Sequence, residues 1–301
     1  MSNRVAVVTG ANSGLGLAIA KVLAAKGYHV VMACRNLTKA KDAEAELKSE
    51  CPTAMTTIIR LDLSDLDSVR EFCLSCVEQV GKLDLLVNNA GIVAMPFERN
   101  KLGHEMQFAT NYLGAFALVG QLLPHFKTDG ECRIVNVGSL AHRFAKLVLD
   151  DLNWEKEEYK EMKGYGRSKI ALMTFTVELN KRLNASGSNI IALAAHPGFA
   201  NTNAGRSDAL QPKSGLGLWF NSQLEKIIPT AADAARPILH AACADDIAGG
   251  DYYGPRGLFE IAGKPGKAKL NPAAKDGAAA AKLWTLSESL SGIHYLSSAE
   301  G

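Results

Sequence analysis

The stretch Val5-Ala6-Val7-Val8-Thr9-Gly10-Ala11-Asn12-Ser13-Gly14-Leu15-Gly16 decides how this chain is built. A short continuous apolar run is what a strand buried on both faces requires. Gly10, Gly14 and Gly16 then turn the chain into an amphipathic pattern over 14–26, and a simple tight turn has no need of three glycines there. The same alternation continues outward. Apolar runs at Val5–Val8, His29–Cys34, Thr56–Leu61, Leu83–Val87, Arg133–Val137 and Ile190–Ala195 predict strands. Helical patterns lie near 14–26, 38–50, 65–80, 102–127 and 164–186, the third opened by Ser64-Asp65-Leu66-Asp67 with Ser64 as its cap.

Strand–helix alternation at this spacing implies right-handed crossovers and an α/β fold, a doubly wound parallel sheet with helices on both faces. No linker interrupts it, so residues 1–301 read as a single domain. Two segments fit less well. Residues 200–229 lack strand period and set Trp219, Phe220, Ile227 and Ile228 among Gly and Ser. Because they follow a strand at the edge where ligands bind such sheets, they read as a substrate lid. Residues 262–282 are rich in Gly, Ala, Lys and Pro and read as a loop leading to a C-terminal helical extension at 275–291.

Hydrophobic residues make up 47% and charged residues 21% of 301, enough for a substantial core. A net charge of +2 gives no argument for nucleic acid or an acidic membrane surface. No run of about 18 apolar residues suggests a membrane span. The first strand begins by Arg4, leaving no room for a leader or a stable membrane anchor, so a cytoplasmic location is expected. Of the six cysteines only Cys73 and Cys76 have redox or zinc spacing. They lie inside a helical pattern with no second pair, which favours core packing; no metal is indicated.

The glycines fall as Gly10-x-x-x-Gly14-x-Gly16, a variant of the common dinucleotide fingerprint. Their job is the same: Gly10, Asn12, Ser13, Gly14, Leu15 and Gly16 let backbone approach a pyrophosphate at a helix N-terminus. An acidic residue at the end of the second strand would repel a 2′-phosphate. This chain has Cys34-Arg35-Asn36 there, with Lys39 one turn on, so NADP(H) is the expected cofactor.

Tyr165-Gly166-Arg167-Ser168-Lys169 puts a phenol and an ammonium on one helix face. The free phenol titrates too high for a neutral-pH proton shuttle, and a nearby ammonium is expected to favour the phenolate. Ser139, at a strand's C-terminal end, can bond a developing oxyanion. Asn111 sits in an otherwise apolar helix, where its amide needs partners; it is expected to make a structural bond or to hold a water that relays protons through Lys169. Asn88-Asn89-Ala90-Gly91 ends the fourth strand with residues small and polar enough for a ribose to approach.

These residues resemble the short-chain dehydrogenase/reductase superfamily: Thr9–Gly16, Asp62, Asn88–Gly91, Asn111, Ser139, Tyr165, Lys169 and Pro197-Gly198 occur in its order over about residues 3–200. The resemblance implies a Rossmann-type sheet and a Ser139–Tyr165–Lys169–Asn111 catalytic group. It also implies adenine contact by Asp62 and Leu63 and ribose contact by Asn89, with Ala90, Gly91, Pro197, Gly198 and Thr202 nearby. A finer resemblance, to retinol dehydrogenases, rests on Ala33–Asn36, Ser139–His142, Tyr165–Lys169 and His196–Gly198. That subgroup mostly uses NADP(H) on apolar aldehydes, ketones or alcohols. The absence of the anchor found in many animal members weakens retinol itself. Light-dependent protochlorophyllide reductases share stretches similar to Val31–Arg35 and Val137–Ser139 and are an alternative, as is a non-catalytic NADP(H) sensor.

The expectation is an oxidoreductase for a small apolar carbonyl or alcohol, monomeric or homodimeric. Substrate would lie between Ser139 and Tyr165, the 92–98 loop, the 140–160 loop and residues 200–229. Phe97, Phe144, Trp219 and Phe220 are candidate apolar walls or core residues, whereas His142 and His196 read as structural.

Overall fold

The computed structural model describes residues 4–198 and 230–296. The proposed lid at 200–229, with Thr202, Trp219 and Phe220, lies outside them. One sheet holds β1 (Arg4–Thr9), β2 (Tyr28–Cys34), β3 (Thr56–Arg60), β4 (Leu85–Asn88), β5 (Cys132–Val137), β6 (Ile190–Ala195), β7 (Tyr252–Pro255) and β8 (Pro265–Lys267). Their order is β3-β2-β1-β4-β5-β6-β7-β8. Every pair is parallel except β7–β8, and Val7 of β1 sits between Val31 of β2 and Leu86 of β4.

The helices are α1 (Gly14–Ala25), α2 (Leu37–Glu50), α3 (Leu66–Val80), α4 (Met106–Phe108), α5 (Gly114–Leu122), α6 (Glu161–Ala185), α7 (Ala231–Cys243) and α8 (Gly277–Ser291). Alternate strand residues feed two cores, as the period of a strand demands. Val8, Val30, Met32 and Val135 meet Ile19, Leu23, Leu47 and Ile238 of α1, α2 and α7. Val7, Val31, Leu86 and Ile134 meet Phe72, Phe116, Phe175 and Trp284 of α3, α5, α6 and α8. The expected doubly wound sheet is therefore present, covered on both faces. Cys73 and Cys76 belong to the second core, where burial pushes the Cys76 thiol up to about 12.

Several local readings differ. The pattern at 102–127 becomes a helix only at Met106, where the Glu105 carboxylate accepts from Gln107 N and Phe108 N. It is then interrupted by a π-helical turn, Ala109–Leu113, before α5. Asp65, not Ser64, caps α3, because the Ser64 hydroxyl donates to Asp62 instead. β7 and β8 escaped the apolar-run criterion: Tyr252-Tyr253-Gly254-Pro255 is short, and β8 lies inside the Gly- and Lys-rich stretch read as loop. No helix among the described residues is long and apolar enough to cross a membrane.

Candidate active site

Strand order reverses between β1 and β4, which opens a crevice beyond their C-terminal ends. A cavity of about 440 Å³ occupies it. Thr9 stitches its floor: Oγ1 accepts from Asn89 N and Ala90 N, each at 2.9 Å, while Asn89 Nδ2 donates to Thr9 O at 2.9 Å. Gly10 turns with φ of 67°, and a Cβ on Gly16 would lie 2.2 Å from Gly10 O, so only hydrogen fits there. Ser13 caps α1 without a side-chain bond, leaving the first N–H groups of the helix uncapped at the cavity wall. That is a cradle suited to an anionic diphosphate.

Of the residues singled out for a cofactor, Gly10, Asn12, Ser13, Gly14, Leu15, Gly16, Arg35, Lys39, Asp62, Leu63, Asn89, Ala90, Gly91, Tyr165, Lys169 and Pro197 all line this cavity. Asn36, Ile92, Val93, Thr110 and Gly138 line it too and were not singled out. Asn36 caps α2 by accepting from Lys39 N at 2.9 Å, which fixes the Arg35–Lys39 rim. Arg35 and Lys39 are exposed, and neither forms an ion pair among the described residues. The Asp62 carboxylate is engaged by Ser64, accepting from its N at 3.0 Å and its Oγ at 2.7 Å.

α6 carries Tyr165 and Lys169 to the inner end of the cavity. Lys169 is buried, donates to Val137 O at 2.8 Å and lies 5.8 Å from the Tyr165 ring centroid. Burial pulls its ammonium down to about 8. Burial also raises the Tyr165 phenol, with a hydrogen bond from Ser139 acting in the opposite direction. The expectation that Lys169 depresses the phenol is thus reversed in the free protein: desolvation of both groups outweighs their proximity. Ser139, next to cavity-lining Gly138, also accepts from Ala141 N at 3.2 Å.

Asn111 sits in the π-helical turn, and its amide makes three hydrogen bonds. Oδ1 accepts from Ile92 N at 2.8 Å, and Nδ2 donates to Ile92 O and Ser168 Oγ, both at 2.9 Å. Ser168 Oγ in turn donates to Tyr165 O at 2.8 Å. The side chain therefore makes structural bonds, tying the segment after β4 to α6. Gly91 is pressed against it: a Cβ would lie 3.0 Å from Asn111 Oδ1 and 3.7 Å from Lys169 Nζ.

Behind Ser139 lies a polar cluster with no local sequence signal. Gly198 N donates to His196 Nδ1 at 3.1 Å, and His196 Nε2 pairs with Glu260 Oε2 at 3.1 Å. Glu260 also accepts from Arg143 and from Lys269 N. His142 Nδ1 bonds Ser139 O, and its Nε2 accepts from Asn271 N at 3.2 Å. Both imidazoles flank the Tyr252 ring, at 4.9 and 5.1 Å. Burial pushes His196 down to about 4 and lowers His142 as well, so both are neutral at pH 7. Phe97 and Phe144 are 43% and 90% exposed, which excludes them from the core. Among the described residues no group of His, Cys, Asp or Glu could hold a metal ion.

A glycine turn suited to phosphates, opening toward Ser139 and Tyr165 with Lys169 behind them, is an arrangement that suits a nicotinamide-dependent oxidoreductase. The chain belongs to the short-chain dehydrogenase family, in its retinol dehydrogenase-like subgroup. The family model described as short chain dehydrogenase matches residues 4–212. Retinol dehydrogenase 13 of Mus musculus is 36% identical over 289 residues, covering 95% of this chain and 83% of that protein. A crystal structure of an uncharacterised protein from Mycobacterium paratuberculosis superposes with a TM-score of 0.80 at 37% identity, over 98% of this chain and 95% of that one. A Burkholderia phymatum short-chain dehydrogenase/reductase solved with NAD gives 0.60 at 25% identity, over 80% and 85%.

Proposed function

We propose that this protein transfers a hydride between NADP(H) and a small apolar aldehyde, ketone or alcohol, with Tyr165 as the proton donor and acceptor. The reading is supported by the meeting of the Tyr165 phenol and the Ser139 hydroxyl at the inner end of the glycine-turn cavity, with buried Lys169 behind them. When bound, the nicotinamide supplies or takes up the hydride. In this reading the Ser139 and Tyr165 hydroxyls both donate to the substrate's carbonyl oxygen. A neutral phenol is the right form to protonate that oxygen during reduction. Lys169, held near neutrality by burial, is matched to return the proton to Tyr165, since transfer is most efficient when the donor pKa lies near ambient pH. Its bond to Val137 O keeps it in place.

Arg35 and Lys39 support NADP(H) over NAD(H): two exposed cations stand at the cavity rim, and the one acidic residue lining it among the described residues, Asp62, is bonded to Ser64. Exposed Phe97 and Phe144, on segments adjoining the cavity and Ser139, support an apolar substrate. The test is turnover with NADPH and with NADH against aldehydes and ketones of graded size and polarity. NADPH-dependent reduction favouring apolar compounds is expected. Equal use of both cofactors would overturn the cofactor assignment, and preference for charged carbonyls the substrate class.

A further inference from the structure

The loop after β4 and the segment entering α6 meet at one side chain that the hydride-transfer group does not use. Tyr159 Oη accepts from Gln107 Nε2 at 2.6 Å and lies 3.0 Å from both Met95 O and Glu105 Oε1. Gln107 Nε2 also donates to Glu161 O at 2.9 Å, in the first turn of α6. The Tyr159 ring packs against Phe97 at 5.1 Å and edge-on to Trp154 at 5.0 Å. It also fills the space beside Gly164, where a Cβ would lie 2.8 Å from its Cε2. One phenol thus touches both the 92–98 loop and the residue preceding Tyr165.

The hydroxyl joins Met95 O to the Glu105 carboxylate. It has one proton and two acceptors within reach. Glu105 Oε1 accepts from Gln107 N at 2.9 Å and Oε2 from Phe108 N at 2.7 Å, and since a carboxylate oxygen takes a second donor, the phenol proton is shared between Oε1 and Met95 O. Met95 O has no other donor among the described residues. Met95 and Phe97 are 37% and 43% exposed, so no core packing fixes them. The Tyr159 hydroxyl holds Met95 O, and Phe97 lies between the Tyr159 ring and the Arg99 guanidinium, the latter 5.5 Å from the Phe97 ring centroid.

We propose that Tyr159 is a positioning residue that sets size selectivity, clamping the apolar wall of Met95 and Phe97 at a fixed distance from Tyr165. This rests on the carbonyl-reduction reading and deepens it: the apolar body of the substrate lies against that wall while its carbonyl meets Ser139 and Tyr165. Small carbonyls that never reach the wall are indifferent to it.

Tyr159→Phe tests this, because it keeps both ring contacts and removes only the hydroxyl. In the full-length variant, kcat for a short-chain aldehyde and the Kd for NADPH should stay within about twofold, while KM for a bulky apolar ketone rises about fivefold, the worth of one net hydrogen bond. Phe97→Ala should give the same selectivity loss and be non-additive with Tyr159→Phe. Amide hydrogen exchange across 92–98 should quicken in Tyr159→Phe without any substrate present. An unchanged size preference, or an equal fall in kcat for every substrate, would overturn the proposal. If the wild-type protein reduces no carbonyl, the functional reading fails, and unchanged exchange at 92–98 would then separately overturn the clamp.

Discussion

The two sides of the crevice are built by different means. On the phosphate side, contacts run through backbone and small residues: Thr9 to Asn89 and Ala90, and Gly16 against Gly10 O. On the substrate side, side chains distant in sequence hold the walls: Tyr159 to Gln107, His142 to Asn271, His196 to Glu260. Backbone suits a ligand portion that never varies, since its donors are fixed by the turn and cannot be retuned by substitution. Side-chain networks suit a portion that does vary. They can be rebuilt without disturbing the sheet.

Substitutions on the two sides should therefore separate binding from chemistry. The largest effect is expected at Tyr165→Phe, which removes the transferred proton and should cut turnover by about a hundredfold or more, while NADPH titration shows near-native affinity. Next comes Gly16→Ala. Its Cβ would meet Gly10 O, so the turn must open, and calorimetry should show NADPH affinity reduced by about tenfold or more, from a strain of roughly 1–3 kcal/mol. Arg35→Asp should shift the NADPH-over-NADH ratio of kcat/KM by about tenfold or more, the worth of a charge-assisted contact of roughly 1.5–3 kcal/mol. Loss of activity with both cofactors alike would instead blur the two sides into one.

The smallest effect concerns stability. Lys169 has a folded-state pKa of about 8 against 10.5 for the free side chain, so between those values the unfolded chain binds more protons. The free protein should accordingly gain stability from this group as pH rises from about 8 to 10.5, the burial penalty being fully present below that window. Lys169→Met removes the penalty but leaves Val137 O without its donor. A net gain of about 1–2 kcal/mol at pH 7 is expected, a few degrees in melting temperature. The gap should narrow toward pH 10 as the wild type recovers, and the variant should be inactive throughout.

Most of the phosphate side was legible because its constraints are local. Three glycines after an apolar run, small residues ending the fourth strand and a Tyr–Lys pair on one helix face each carry their geometry in a few positions. The strands of the sheet followed from apolar runs for the same reason, except β7 and β8, which lie toward or at the edge and need no such run. What escaped was long-range. Nothing near Glu260 announces His196 and Arg143 as partners, and nothing near Tyr159 announces Met95 or Gln107. The sign of the Tyr165 shift escaped as well, because spacing along a helix reports neighbours and not desolvation.

The most direct measurement uses NADPH carrying two deuteriums at C4 of its nicotinamide, with an apolar aldehyde and the wild-type protein. Transfer of the label to the carbonyl carbon is expected, one deuterium for each cofactor oxidised, with transfer by Tyr165→Phe at least about a hundredfold slower although that variant keeps its bound cofactor. Cofactor that binds but passes no label to any carbonyl, or Tyr165→Phe transferring it at the wild-type rate, would contradict the proposed function.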